Sequence, residues 1–317
     1  MLDSPRNRWI HPAVILVATD LADLDRLMPF ALEQAEETGA RLILLHVLPT
    51  SGTMAVDAAG APYYDPSVSF EIAARALEPW CEQARSRKIV CDALVRDGHP
   101  AQQVSVAVRQ FKADLLVLGA RSHSRLGKLL LGSVAELLLR SVELPVLTVG
   151  PEAYLQSENR SRVVLHATPL RKNALPSTRL ACQIASRQSA SLILLHVLPA
   201  VDDPVIRESG GKQPASFDAA AFHELRRIAA ETGSCCCAAI ETHVVHGNPP
   251  IEILAEAAEC HASLIVLGAT ERSIFENFTR DRTIYKVLAH ARCPVLTLRA
   301  PAAAAVPLPE QTDAAHQ

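Results

Sequence analysis

The sequence predicts two tandem α/β domains, each an open, doubly wound sheet of five parallel strands. Three observations carry that expectation. The octapeptide LILLHVLP at Leu42–Pro49 recurs, residue for residue, at Leu192–Pro199, 150 positions later. The match continues in register, with VLGA at Val117–Ala120 and Val266–Ala269 and PVLT at Pro145–Thr148 and Pro294–Thr297, each pair 149 apart. Short unbroken apolar runs also alternate with longer stretches of helical spacing, the mark of parallel strands covered on both faces by crossover helices. A period this long exceeds any solenoid unit, so each copy reads as a whole domain. The domains are placed at residues 1–151 and 158–300, with Glu152–Arg160 between them. The tail, 301–317, is rich in Ala and Pro without period and is expected to be disordered.

In the first copy the strand Ala13–Ala18 leads into a helix over Leu24–Thr38. There Leu24, Leu27, Met28, Ala31, Leu32 and Ala35 form one stripe, and Gly39 supplies a stop. Leu42–Val47 is the second strand. Thr50–Pro66 holds Gly52, Gly60, Pro62 and Pro66 and reads as a long loop. A helix over about Ser67–Lys88 precedes a weaker strand, Ile89–Arg96. Next come a helix at Pro100–Phe111 with proline in its first turn, the strand Leu115–Leu118, a helix at Leu129–Ser141 and a last strand, Val146–Val149.

Composition narrows the function classes. Among 317 residues, 31 basic side chains oppose 34 acidic ones, a net charge of -3 that disfavours a nucleic-acid partner. No apolar run reaches the roughly 18 residues of a membrane span, and the N-terminal region offers only Ala13–Ala18 as an unbroken apolar run. Eight cysteines, three of them consecutive at 235–237, do not form a secreted disulfide framework. Reduced thiols and a cytoplasmic location are expected.

Ligands of doubly wound sheets bind outside the C-terminal ends of the strands. Thr19 and Asp20 follow the first strand, Val47 ends the second, and Gly119–Ser122 follow the fourth. Asp20 reads either as a polar acceptor at the mouth or as the N-cap of the next helix. The loop ARSHSRLGK carries Arg121, His123, Arg125 and Lys128, and no acid lies between Gly119 and Ala135. Cationic character beside Gly132 and Ser133 suits an anion, since glycine lets backbone N–H groups approach phosphate and serine can donate to it. Neither G-x-x-x-x-G-K-[ST] nor G-x-G-x-x-G is present.

An Asp after the first strand, His46-Val47 at the end of the second, and Gly119, Ser122 and, nine residues on, Gly132-Ser133 after the fourth resemble the universal stress protein family. Two copies in one chain resemble its tandem subclass, with a Rossmann-like fold. Family members with the complete pattern bind ATP, with or without Mg²⁺. The resemblance therefore implies adenine near Asp20 and Val47, ribose near Gly119, and phosphates near Arg121, Ser122, Gly132, Ser133 and Val134. Ser122 stands where the pattern has a second glycine, which makes a positive φ there less comfortable. The resemblance further implies that the domains pack as a pseudo-symmetric pair through their fifth strands, with a homodimer of the whole chain as a further arrangement.

In the second copy Asp20 becomes Pro169, Ser122 becomes Glu271, and Gly132-Ser133 become Asp281-Arg282. Carboxylates near a polyphosphate repel it, so one nucleotide site and one degenerate, architectural domain are expected. Cys235–Cys237 precede a strand carrying His243 and His246, and Cys260-His261 end a helix. Adjacent strand residues face opposite ways and cannot converge on one ion, so structural thiols are preferred to metal. His46 and His196 read as satisfied core imidazoles, and His99 as a residue at a helix start. These features favour an ATP-binding stress-response or signalling protein with an unidentified protein partner. The alternatives are a nucleotide-independent scaffold and a slow ATPase or self-phosphorylating protein. A loop Gly119–Lys128 that orders on binding anions is also expected.

Overall fold

A computed structural model describes residues 10–49, 54–56, 62–64, 66–120, 131–155, 161–170, 174–198, 215–233, 239–269 and 283–299. Its first half contains β1 (Val14–Thr19), α1 (Leu24–Thr38), β2 (Arg41–Leu48), β3 (Met54–Val56), β4 (Pro62–Tyr64), α2 (Pro66–Ser86), β5 (Cys91–Asp97), α3 (Pro100–Gln110), β6 (Leu115–Gly119), α4 (Ser133–Ser141) and β7 (Val146–Val149). The second half follows with β8 (Val163–Ala167), α5 (Ala174–Arg187), β9 (Ser191–Leu198), α6 (Ala215–Gly233), β10 (Ile240–His246), α7 (Pro249–Glu259), β11 (Leu264–Ala269), α8 (Thr283–His290) and β12 (Val295–Arg299).

The central strands are apolar along their whole length because helices cover both faces. Ile15, Leu16 and Val17 are all fully buried, as are Leu42 and Leu44. On one face α1 and α2 bury Leu27, Met28, Leu77 and Cys81 against Ile15 and Val117. On the other, α3 and α4 bury Val104, Ala107 and Leu138 against Leu16 and Leu116. The helix α1 presents its predicted stripe to the core and stops at Gly39, whose φ of 71° is left-handed and whose N–H bonds Ala35 at 2.8 Å. No described helix is long and apolar enough to cross a membrane.

Within the first half the strand order is β7-β6-β1-β2-β5. Connections from β1 run to one side of the sheet and those around β6 to the other, so the switch point lies between the C-terminal ends of β1 and β6. Both halves join in one sheet of ten strands, β10-β9-β8-β11-β12-β7-β6-β1-β2-β5. Among the described residues the one antiparallel contact within this sheet is β7 with β12, in the register Thr148↔Val295, Leu147↔Leu296, Val146↔Thr297. The expected pairing through the fifth strands of the two copies is therefore what the structure shows.

The junction is tight and charged. A Cβ on Gly150 would stand 3.0 Å from the carbonyl oxygen of Leu288 and 3.2 Å from that of Ala291. Glu152 begins the segment expected to be a linker, yet Tyr154 within it donates its N–H to the Arg292 carbonyl at 3.2 Å. Arg162 bonds Glu33 at 2.6 Å and also Glu37, while Arg187 bonds Gln34 at 2.9 Å. On the opposite face Arg140 donates to the Tyr285 hydroxyl at 3.2 Å.

Three elements differ from the sequence expectation. Inside the stretch expected to be a structureless loop, β3 and β4 form an antiparallel ribbon with Met54 opposite Tyr64. Val56, Tyr63 and Tyr64 favour strands, but three residues are too few to show a period. The helix α4 begins at Ser133 rather than at Leu129, because Gly132 is extended (φ -62°, ψ 143°) and its N–H bonds the carbonyl of Ala120 at 3.1 Å. The tail 301–317 and the Cys235–Cys237 run lie outside the described residues.

Candidate functional site

A crevice of about 430 Å³ opens at the switch point of the first half. Six of the eight residues singled out in the sequence line it: Asp20, Val47, Gly119, Gly132, Ser133 and Val134. The other two, Arg121 and Ser122, lie outside the described residues, as does most of the loop expected to order on anions.

The backbone explains how residues so far apart in sequence meet. Ala120 donates its N–H to Val149 at 3.0 Å, and its carbonyl accepts from Gly132 at 3.1 Å. That bond draws the two ends of the cationic segment together and sets Gly119 beside the start of α4. The first N–H groups of a helix have no partner within it, and the helix dipole adds partial positive charge there. Ser133, the first residue of α4, is exposed at this point, while Gly132 behind it is buried.

At the other wall Asp20 is exposed and accepts the Ala22 N–H at 3.0 Å. It is not the N-cap of α1, since that position belongs to Asp23. Leu21 holds a left-handed φ of 73°, and its N–H bonds the Thr19 hydroxyl at 2.9 Å. A left-handed leucine costs on the order of 1 kcal/mol. The same conformation recurs at Leu170, φ 51°, the corresponding place in the second copy.

Asp23 is the residue that the sequence reading missed. It lines the crevice, is 9% exposed, and accepts the Thr19 hydroxyl at 2.5 Å. Burial pushes its carboxyl up to about 6, with the Thr19 hydrogen bond opposing and the Asp20 charge adding to the rise. Its second carboxylate oxygen occupies the space where Gly119 would carry a Cβ, so any side chain at 119 would collide with it. Asp20 and Asp23 are three apart, a spacing legible in sequence, but only the fold turns one outward and the other in.

His46 is a stitch: its Nδ1 meets the Thr19 carbonyl at 3.0 Å, tying β2 to the end of β1. His196 does the same with Thr168 at 2.7 Å, and burial lowers its basicity. Both match the reading as satisfied core imidazoles. His166, which the sequence reading passed over, is fully buried on β8, with Nδ1 3.0 Å from the Val266 carbonyl. Its Nε2 has no hydrogen-bond partner, and burial lowers its pKa to about 4.

In the second copy Pro169 stands exposed in place of Asp20, whereas Glu271, Asp281 and Arg282 lie outside the described residues. His243 pairs with Glu256 at 2.6 Å and His246 with Asp218 at 3.0 Å, so the two imidazoles serve separate carboxylates. His99 sits at the N-cap position of α3, but its side chain makes no capping bond. Cys81, Cys91, Cys260 and Cys293 are free thiols. Cys182 is disulfide-bonded, and there the expectation of uniformly reduced thiols fails.

The profile of the universal stress protein family matches the chain twice, over residues 13–150 and 162–299. The chain belongs to the universal stress protein family. A universal stress protein of Mycolicibacterium smegmatis is 27% identical over 305 residues that cover 90% of this chain and 96% of the relative. A Thermus aquaticus universal stress protein, encoded in the 3′ region of a QAH/OAS sulfhydrylase, is 32% identical over 142 residues, 43% of this chain and 96% of its own. Among solved structures, a universal stress protein from Archaeoglobus fulgidus superposes with a TM-score of 0.68 at 19% identity, covering 92% of this chain and 97% of that one. The universal stress protein fold thus extends over both halves.

Proposed function

We propose that the N-terminal domain binds ATP in the crevice between β1 and β6, and that the C-terminal domain acts as its structural partner in a stress-response or signalling protein. The observation that carries this reading is the convergence of Asp20, Val47, Gly119, Gly132, Ser133 and Val134 on one crevice, at the start of α4. A volume of about 430 Å³ falls within the range of small-ligand sites. Adenine would lie between Asp20 and Val47. Ribose would pass Gly119 and the Asp23 carboxylate that fills the space beside it. The phosphates would meet the N–H groups of Ser133 and Val134 and the Ser133 hydroxyl, with Arg121 and Ser122 from the cationic segment completing the set.

The second domain is assigned an architectural role because Pro169 offers neither carboxylate nor N–H where Asp20 stands. Titration of the whole chain with ATP, with and without Mg²⁺, by calorimetry tests the proposal. One site per chain is expected, lost in Gly132→Val, where a branched side chain would fill the phosphate approach. Two equal sites, or full affinity in Gly132→Val, would overturn it.

A further inference from the structure

Away from the crevice, two thiols meet in the core of the first domain. Cys81, on the last turns of α2, and Cys91, the first residue of β5, have their sulfurs 3.1 Å apart. Both are free, and they are 0% and 2% exposed. A disulfide bond is about 2.05 Å long, so roughly 1 Å of approach separates this pair from a covalent link.

The surrounding chain holds the two sulfurs in place. Residues 87–90 form a tight turn in which Ile89 and Arg87 both donate to Ala84, at 3.0 Å each, and Lys88 takes a left-handed φ of 63°. Arg85 reaches across this turn to the Cys91 carbonyl at 3.2 Å and also pairs with Glu78. The helix end and the strand start are therefore clamped to each other before any bond forms between the sulfurs.

We propose that Cys81 and Cys91 form a reversible disulfide when the protein meets a hydroperoxide, stapling α2 to the edge strand β5. The roles of the two sulfurs are unequal. Cys91 donates its S–H to Cys81, which stabilises the Cys81 thiolate and holds the Cys91 proton in place, and the Arg85 charge favours the same thiolate. The Cys81 thiolate attacks one peroxide oxygen, the O–O bond breaks, and the leaving oxygen departs with the electron pair as hydroxide, or as alkoxide from an organic peroxide. Cys81 is then a sulfenic acid, oxidised by two electrons. The Cys91 sulfur attacks the Cys81 sulfur, the S–S bond forms, and the S–O bond breaks. Its oxygen leaves with the Cys91 proton as water. With hydrogen peroxide the sum is two thiols and one peroxide giving one disulfide and two waters.

Burial decides which oxidants qualify. β5 is the outer strand at its end of the sheet, and Asp92 and Ala93 beside Cys91 are exposed. Fraying of such an edge admits a small peroxide far more readily than a folded oxidoreductase. The site also lies at the N-terminal end of β5, opposite to the end of the sheet where the crevice opens, so its oxidation does not depend on the nucleotide reading.

The test uses the full chain, reduced with dithiothreitol, freed of it, exposed to hydrogen peroxide and alkylated with iodoacetamide after denaturation. Arg85, Arg87 and Lys88 separate the two cysteines, so trypsin yields a cross-linked pair of peptides only if the bond has formed. Expected are a Cys81–Cys91 cross-link two hydrogens lighter than the two thiol peptides, its disappearance on re-reduction, and a higher Tm for the oxidised chain. In Cys91→Ala the Tm rise should shrink to the part supplied by re-forming the Cys182 disulfide, while Cys81 sulfenic acid becomes trappable with dimedone. Recovery of both cysteines as alkylated thiols, oxidation of Cys81 to sulfinic acid without a link, or cross-linking of either to another cysteine would overturn the proposal.

Discussion

Glu37 and Arg187 occupy the same position in the two repeats, 150 residues apart, and they pair with each other across the domain junction at 3.5 Å. If two N-terminal domains met in the same way, Glu37 would face Glu37; two C-terminal domains would oppose Arg187 to Arg187. The charge pattern therefore favours the mixed pair and disfavours both like pairs. Glu37→Arg should destabilise the chain by about 2 kcal/mol, since it sets three cations together with Arg162 and Arg187 in a half-buried place. Adding Arg187→Glu should recover part of that loss in chemical unfolding. Equal stability of the single and double variants would remove the charge argument.

At Gly150 the backbone of the second domain leaves no room for a side chain. A valine there would drive its Cβ into the carbonyls of Leu288 and Ala291, and backbone cannot move aside as a side chain can. Gly150→Val should cost about 2 kcal/mol or more and weaken the β7–β12 contact. Separately expressed domains, each left with an open apolar strand edge, should associate with one another or self-associate in sedimentation experiments. Two well-behaved monomers would contradict this.

Gly119 and Asp23 form a second close pair. Gly119→Ala should lower stability by about 1–3 kcal/mol, because its methyl group displaces the Asp23 carboxylate. Shortening the partner with Asp23→Ser should be less costly in the Gly119→Ala background than in the parent. A double-mutant cycle by thermal unfolding reads this coupling, and strict additivity would show that the collision is relieved elsewhere.

The two domains should respond to acid with opposite signs. Asp23 has its pKa raised from 3.8 to about 6, so the folded state holds a proton that the unfolded state releases, and this stabilisation, present below pH 3.8, is lost as pH rises through 6. His166 is lowered from 6.5 to about 4, so the unfolded state takes up a proton that the fold refuses, and stability falls as pH drops from 6.5 towards 4. Each shift corresponds to about 3 kcal/mol at its limit. His166→Val, which installs the residue found at the equivalent Val17, should flatten the acid loss. Asp23→Asn, which keeps an acceptor for Thr19, should steepen it. Unfolding curves between pH 4 and 6.5 check both, and unchanged slopes would refute the assignment.

The sheet was legible because burial on both faces demands unbroken apolar runs, and Leu42–Val47 and Leu115–Leu118 have few other readings. The repeat LILLHVLP made the second domain legible from the first. Edges were less clear: β5 has one buried residue, Cys91, followed by exposed and half-buried positions with no alternation, and the true start of α4 depends on a hydrogen bond from Gly132 to Ala120, 12 residues earlier. Spacing identified Asp20 but not Asp23, because the left-handed turn at Leu21 that separates them is made by a residue with no propensity for it. The contact of Cys81 with Cys91 was hidden for a similar reason, since helical and strand periods do not reveal which residues meet at a turn.

The antiparallel meeting of β7 and β12 sets the two halves of the sheet pointing in opposite directions. The C-terminal ends of β1, β2 and β6 therefore open at one pole of the molecule, and those of β8, β9 and β11 at the other. With strands spaced about 4.8 Å apart, the ten-stranded sheet also carries the poles sideways from each other. A protein docking over the first mouth leaves the second uncovered, and two such visitors could sit on one chain without touching. Whatever the first mouth holds would be advertised in one direction only, while the far pole remains available for an unrelated conversation.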